Sequence, residues 1–309
     1  MTTTSLPRHA RPEGRAYTCW HARPKGRTYT CLVLVWIAAT AAGAAQVVER
    51  PARIICVVPG VTEMLFAIGA GPQVVGVSSF ERFPPEATRL PTVGALLDPD
   101  TERIFSLRPD LVIVYGSQTD LRAQLARAGI PVFVYSHAGL ADVTVTLREI
   151  GTRVGHSESA GRLAADIERR IATMRARTAT QSRPRTLIVF GREALALRGI
   201  YASGGIGFVH DIVTAAGGAN VFEDVKRQAV QATTEQILSR RPDVILELRA
   251  AALSPEMLER ETAVWRTLSA VPAVSAGRVH IIVDPRTVVP GPRVAGAIEL
   301  IADILNPGR

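Results

Sequence analysis

The sequence predicts an α/β protein of two lobes, each a parallel sheet covered by helices, joined by a single long rigid helix. Three observations lead there. Residues 101–113 (TERIFSLRPDLVI) and 234–246 (TEQILSRRPDVIL) are identical at seven of thirteen positions without a gap, as expected of two related halves. Between the copies, Ser157–Arg177 contains no Pro and only one Gly, Gly161, while Leu163, Ile167, Ile171 and Met174 recur at helical spacing. Such a helix would reach about 30 Å, the width of a small domain. On both sides of it, short apolar runs closed by Gly or Pro alternate with helical patterns, the signature of helix-covered parallel strands.

The chain of 309 residues is long enough for two lobes, and a hydrophobic fraction of 47% supplies two cores. Residues 1–45 stand apart. Arg23, Lys25 and Arg27 precede an apolar run from Leu32 to Ala42, and Ala42-Gly43-Ala44 gives a small-residue cleavage pattern. This reads as a secretory signal peptide cut near Ala44 or Ala45, too short to span a membrane. Cys31 precedes the apolar run, so it is not placed as a lipid acceptor. A duplication, His9–Cys19 against His21–Cys31, offers His and Cys at equal spacing without a C-x-x-C pair; it reads as an over-long leader rather than a metal knuckle. Beyond the leader the expected parts are an N-terminal lobe over 52–150, the interlobe helix over 157–178 and a C-terminal lobe over 185–306.

The formal charge of +8 belongs mostly to the leader. Taking its six basic residues and one acid from the 36 and 28 of the whole chain leaves 30 against 27, which gives no footing for nucleic-acid binding. Cys56 is the one cysteine left after cleavage; in an apolar strand it reads as a small core residue.

In the first lobe, Arg53–Val58 reads as a strand that is apolar throughout after Arg53. Pro59-Gly60 turns into a helix ending at Gly69, and strands follow at Val74–Val77, Leu111–Tyr115 and Val132–Tyr135. The run RIICVVPGVTEMLFAIGAGPQVVGVSSFERFPPEA, continued by LPTVGALLDPDTERIFSLRPDLVI, resembles the periplasmic substrate-binding proteins of ABC importers for vitamin B12, ferric siderophores and haem. GVSSF…FPPEA and ERIFSLRPDLVI bring it nearest to the cobalamin-binding branch, and the likeness runs from about Arg53 to Leu305. The resemblance implies two lobes bridged by one helix, ligand clasped between them and little hinge motion. It also implies a permease dimer with its ATPase subunits as partner, a monomeric binding protein and a periplasmic location. The transported ligand it implies is cobalamin, with no resident cofactor.

In the second lobe, strands are expected at Thr186–Phe190, Val244–Leu248 and Val279–Val283, with a last helix from Pro292 to Leu305. A Gly-rich loop, Ala202-Ser203-Gly204-Gly205-Ile206-Gly207, precedes a helix over Phe208–Ala216. It lacks the G-K-[ST] of a phosphate-binding loop and the acidic partner of a dinucleotide site, so a loop lining the cleft is favoured over a phosphate site or an ordinary turn.

Glu102 and Glu235 occupy the same position in the two repeat copies. The helix macrodipole accounts for either carboxylate alone but not for their pairing. The resemblance implies that each docks on arginines of the permease. Ligand contacts are expected from loops at strand ends: Phe80, Phe83, Tyr115, Gln118, Arg192, Tyr201, Ser203, Gln231, Arg249 and Arg286. Tyr201 falls where the cobalamin branch carries an aromatic. Where that branch has tryptophans ahead of the docking glutamates, this chain has about Leu96 and Ala229, and the one Trp after the leader is Trp265. His137, His156, His210 and His280 show no metal-ligand spacing and read as surface or core histidines, with His137 placed to reach the cleft; axial ligation of haem by Tyr115, Tyr201 or His137 is the alternative. No G-x-S-x-G, H-E-x-x-H or catalytic Cys/His pair occurs, which leaves a secreted α/β enzyme as the remote alternative. The reading is a binding protein for a corrinoid, with a ferric siderophore or haem as the other ligands of the same family.

Overall fold

The computed structural model describes residues 50–249 and 251–307; the leader, its cleavage site and its His/Cys duplication lie outside them. Among the described residues no helix is long and apolar enough to cross a membrane.

The first half runs β1 (Ile54–Cys56), α1 (Pro59–Ala67), β2 (Val74–Val77), α2 (Thr101–Ser106), β3 (Leu111–Tyr115), α3 (Thr119–Arg127), β4 (Val132–Tyr135) and α4 (Ala141–Val154). Its four strands pair in the order β2-β1-β3-β4, all parallel. The long helix α5 covers Ser157–Thr178. The second half runs β5 (Arg185–Gly191), β6 (Ile200–Ser203), α6 (Phe208–Ala215), β7 (Ala219–Asn220), β8 (Ala229–Ala232), α7 (Thr234–Arg240), β9 (Val244–Arg249), α8 (Pro255–Ala263), α9 (Pro272–Ser275), β10 (Val279–Val283) and α10 (Val294–Leu305). Its sheet has the order β10-β9-β5-β6-β8, with β7 on β5. The β10, β9 and β5 ladders are parallel, whereas β6 is antiparallel to both β5 and β8. Only a short loop separates β5 from β6, and a link of that length can reverse the chain but cannot carry it back for a parallel return.

The repeat has a physical basis. Ile104 and Ile237 are fully buried. Arg108 and Arg241, each just before the shared Pro, hold positive φ angles of 47° and 45° that end the helix. Asp110 accepts from the Ala52 and Arg53 amides at 2.8 and 2.9 Å, and Asp243 accepts from the Arg185 amide at 2.9 Å. Arg53 and Arg185 return the favour by donating to the helix-end carbonyls of Leu107 and Arg240 at 2.7 and 2.5 Å. The helices differ at their starts: Asp100 caps α2 alone, while Thr233 and Gln236 form a reciprocal capping box on α7.

Helix α5 buries Ala160, Ala164, Ile167, Ile171 and Met174 on one stripe, against α4, α6 and α10. It is thus more than a rod between lobes. One apolar core runs from the first sheet through these helices to Ile188, Val244 and Leu246 of the second sheet. A smaller core fills the other face of the second sheet around Trp265 and Phe222. Two polar contacts add to the join: Arg293, just before α10, pairs with Glu63 of α1, and Asp211 of α6 accepts from the Leu140 amide at 2.8 Å. Cys56 is fully buried, and burial pushes its thiol up to about 12, as suits a core residue.

A candidate ligand cleft at the strand ends

In an open α/β sheet the crevice forms beyond the carboxyl ends of strands, where the strand order reverses. The first sheet reverses between β1 and β3, and the second between β5 and β9. Cavities lie at both places. One of about 210 Å³ is lined by Val58, Pro59 and Gly60 after β1, by Tyr115 and Tyr135 at the ends of β3 and β4, and by His137. The other, of about 720 Å³, is lined by Phe190–Arg192 at the end of β5, Glu247–Arg249 at the end of β9, and Ile206–Val209 of the Gly-rich loop and α6. His137, Val288 and Pro290 line both, so the two cavities adjoin.

The larger cavity has apolar walls, lined by Phe190, Ile206, Phe208, Leu248, Leu253 and Val288. Its floor holds a buried charge cluster. Glu247 receives Arg192 Nε at 3.0 Å, Arg249 Nε at 2.8 Å and Trp265 Nε1 at 3.1 Å, and Glu261 receives Arg192 Nη2 at 2.7 Å. Two arginines balance two glutamates, so burial is compensated and the floor carries no net charge. Arg192 also donates to the carbonyls of Glu193 and Ala196. The Gly-rich loop does line the cleft through Ile206 and Gly207. Gly204 and Gly205 are required there because a Cβ on either would collide with the carbonyls of Arg227 and Glu223.

On the opposite wall, His137 sits two residues past β4. Its ring stacks on Tyr135 with centroids 6.0 Å apart and meets Phe208 edge-on at 5.4 Å. Neither ring nitrogen has a hydrogen-bond partner. Burial lowers its pKa below the usual imidazole value and outweighs the nearby Asp142 and Asp211, which act to raise it. The loop after His137 is pinned from both lobes. Asp142 accepts from the Ala138 and Gly139 amides at 2.6 and 2.8 Å, and Asp211 accepts from that of Leu140.

Of the residues expected to touch ligand, Tyr115 and Arg249 line the cavities with side chains that reach solvent. Arg192 borders the larger cavity, but its side chain is 0% exposed and fully engaged in the floor cluster. Gln118 is buried. Its carbonyl accepts from the Tyr115 amide at 3.0 Å and its amide donates to the Ala95 and Leu96 carbonyls, so it fixes a loop rather than offering a contact. Ser203 is likewise buried and donates to the Gly204 carbonyl. Tyr201 and Gln231 face each other across β6 and β8, on the sheet face that also carries the cavity-lining Ala229, but line neither cavity. Phe80 is 67% exposed beyond β2 and lines neither cavity. Phe83 lines a separate groove with Phe66 and Leu163, under the Arg293 guanidinium at 3.9 Å. Arg286 lines neither cavity; its own neighbour Asp284 holds it with bonds of 2.6 to 3.0 Å. The residues not singled out from sequence are Glu247 and Glu261. Glu247 had a visible signal, a lone acid inside the apolar strand VILEL; Glu261 had none.

Glu102 and Glu235 are both exposed, in the first turns of α2 and α7. Backbone hydrogen bonding at the helix start holds Glu235 below the usual carboxylate range. Of the other residue types identical in both copies, Ile, Arg and Asp have the structural roles given above, and both serines bond back into their helices. His156 and Gly69 are neighbours at the start of α5, His210 bonds Asn220 at 3.2 Å, and His280 lies in β10; no cluster of three or more metal-binding side chains occurs among the described residues.

The periplasmic binding protein family model matches residues 54–285. The vitamin B12-binding protein of Pectobacterium carotovorum subsp. carotovorum (strain PC1) is 31% identical over 229 residues, covering 73% of this chain and 80% of that protein. The solved periplasmic vitamin B12 binding protein of Vibrio cholerae matches with a TM-score of 0.71 at 24% identity, over 82% of this chain and 96% of that one, a likeness of fold. The periplasmic heme-binding protein of Roseiflexus sp. RS-1, solved in its apo form, matches with a TM-score of 0.71 at 27% identity, over 82% and 97%.

Proposed function

The chain belongs to the periplasmic binding protein family, and from that premise we propose that it is the solute-binding component of an ABC importer, carrying a corrinoid between its lobes. The observation that carries the reading is the pair of adjoining cavities at the two switch points, apolar in their walls and charge-balanced in their floor. A corrin offers a broad, largely apolar face, which such walls accommodate. A highly anionic ferric chelate would call for unpaired cations, and both arginines of the larger cavity are already paired. The name of the Pectobacterium relative agrees with the reading. The family is one of solute-binding proteins, so the enzyme alternative is set aside. Haem is the second reading, favoured by His137 at the junction of the cavities. Signal-peptide cleavage near Ala44 or Ala45 would release the chain to the periplasm as a monomer.

Calorimetric titration of the chain from about Ala45 with cyanocobalamin, hemin and a ferric hydroxamate tests the ligand. One-to-one binding of cyanocobalamin alone supports the corrinoid; binding of hemin or the hydroxamate alone moves the cargo to iron. For delivery, Glu102 and Glu235 are the proposed contacts with the permease, one from each lobe. Glu102→Ala with Glu235→Ala is expected to leave cargo affinity unchanged and lower uptake in cells, because exposed pairs set orientation more than affinity. A collapse of cargo affinity in the double variant would remove the docking role.

A further inference from the structure

The charge in the cleft is gathered in one place. Among the described residues, the Asp, Glu, Lys and Arg side chains that line the two cavities are Arg192, Glu247 and Arg249, all of the floor cluster. Within that cluster nearly every donor and acceptor is spent. Glu247 takes Arg249 Nε and Nη2 on one carboxylate oxygen, and Arg192 Nε with Trp265 Nε1 on the other. Glu261 takes Arg192 Nη2 at 2.7 Å and lies 3.6 Å from Arg249 Nη2. Arg192 gives its remaining terminal nitrogen to the Glu193 and Ala196 carbonyls. Arg249 Nη1 is left without a partner among the described residues. The Arg249 side chain is also 24% exposed, where those of Arg192, Glu247 and Glu261 are at most 2%.

A guanidinium that offers one open edge, with a carboxylate bonded to its other edge, attracts two kinds of group unequally. An uncharged carbonyl gives up little hydration on burial and gains a charge-assisted hydrogen bond. A carboxylate must shed far more water, and its attraction to Arg249 is offset by repulsion from Glu247 and Glu261 behind it. Asp211, in the first turn of α6, likewise offsets the positive start of that helix at the cavity. We propose that Glu247, with Glu261, makes the cleft select cargo whose rim carries uncharged carboxamides over cargo whose rim carries carboxylates. Arg249 Nη1 is the donor to that rim, and Glu247 is the positioning residue that aims it and cancels its charge. The selection deepens the corrinoid reading and rests on it, since a corrin rim bears carboxamides where haem bears propionates.

The test sets cyanocobalamin against its separated monocarboxylates, in each of which one rim amide is hydrolysed, and hemin against hemin dimethyl ester. Affinities are read by calorimetry at neutral pH. The wild-type chain should bind cyanocobalamin at least about tenfold tighter than one or more of the monocarboxylates. Glu247→Gln removes one negative charge from the floor and should shrink that ratio. Arg249→Gln removes the donor and leaves the acids in excess, so it should weaken cyanocobalamin without shrinking the ratio. Lost packing alone would weaken every ligand alike and leave the ratio unmoved in both variants. Equal wild-type affinity for cyanocobalamin and all its monocarboxylates, or a ratio unmoved in Glu247→Gln, overturns the proposal and leaves the transport reading standing. If Glu247→Gln does not fold, a ratio that shrinks in Arg249→Gln overturns it in the same way. Should no corrinoid bind, the corrinoid reading fails and the haem pair decides the selection: tighter binding of the ester sustains it, and equal or tighter binding of hemin overturns it. If none of these chelates binds, the cargo reading and the selection fall together.

Discussion

At matched positions of the two lobes, the strands that reach the cleft end in opposite chemistry. Glu102 and Glu235 lie 133 positions apart, and the same shift sets Val114 of β3 against Glu247 of β9, and Gly116 against Arg249. Ile54 pairs with Leu111 as Thr186 pairs with Val244, which sets Gly60 after β1 against Arg192 after β5. Three positions that are small or apolar in the first lobe are thus an arginine, a glutamate and an arginine in the second. The first lobe lets the backbone approach closely: a Cβ on Gly60 would press on the Pro290 carbonyl at 2.5 Å. The second lobe spends the same positions on a buried ionic floor. The repeat therefore preserves the outer helix and its exposed glutamate while the cleft-facing ends diverge, as expected if both lobes meet one docking partner and one asymmetric cargo.

The sharpest way to break this comparison is at the matched pair Val114 and Glu247. Glu247→Ala strands the buried Arg192 and the Trp265 N–H, and removal of one partner from a buried ion pair costs about 3–5 kcal/mol. Val114→Ala leaves a small cavity in an apolar core and should cost about 1–3 kcal/mol. Urea unfolding of both variants checks the order. Equal losses would mean that the floor cluster contributes no more than ordinary packing.

The first lobe has its own buried acid, without a cation. Glu81 is 5% exposed and its Oε2 has no partner. Burial, with Glu63 adding to it and Thr62 opposing, pushes its pKa from 4.5 up to about 7. The folded protein then holds a proton that the unfolded chain releases earlier, so this group's contribution is fully present below pH 4.5 and is lost as pH rises to about 7. The loss should be on the order of 1–3 kcal/mol over that window. Glu81→Gln should flatten that part of the stability–pH curve and raise stability at pH 8. An unchanged slope in the variant would place the pH dependence elsewhere.

These contrasts also mark what the sequence could and could not disclose. The repeat, the apolar strands and α5 were legible because period and punctuation are local signals. β6 and β8 were not, since IYAS and AVQA are short and weakly patterned, and their pairing is set by distant neighbours. For the cleft, the end of β5, the end of β9 and the Gly-rich loop followed from the rule about strand ends. Which side chains remain free there did not follow. Arg192 and Gln118 have the right chemistry for a ligand, yet Glu261 and the Leu96 carbonyl claim them from far along the chain. His137 was placed near the cleft by its position after a strand, but its edge-on contact with Phe208 of the other lobe did not follow from local pattern.

The smallest effect expected concerns how α5 is tied to each side. Arg148 of α4 grips Glu168 with two bonds of 2.7 and 2.8 Å, and Arg170 grips Glu299 of α10 in the same forked manner. The Arg148 guanidinium holds the Glu168 carboxyl down to about 2, which taken alone suggests a strong link. Both partners are more than 40% exposed, however, so water and salt screen most of that attraction. Glu168→Gln should therefore cost only about 0.2–1 kcal/mol, less still at high salt. Since the depressed carboxylate contributes in full only above its unfolded pKa, the cost should fade as pH falls from about 4.5 to about 2. Ile171→Ala, on the buried stripe of the same helix, should cost about 2–5 kcal/mol. If Glu168→Gln proved the more damaging of the two, the junction between the lobes would be ionic rather than a continuous apolar core, and screening by salt would loosen it.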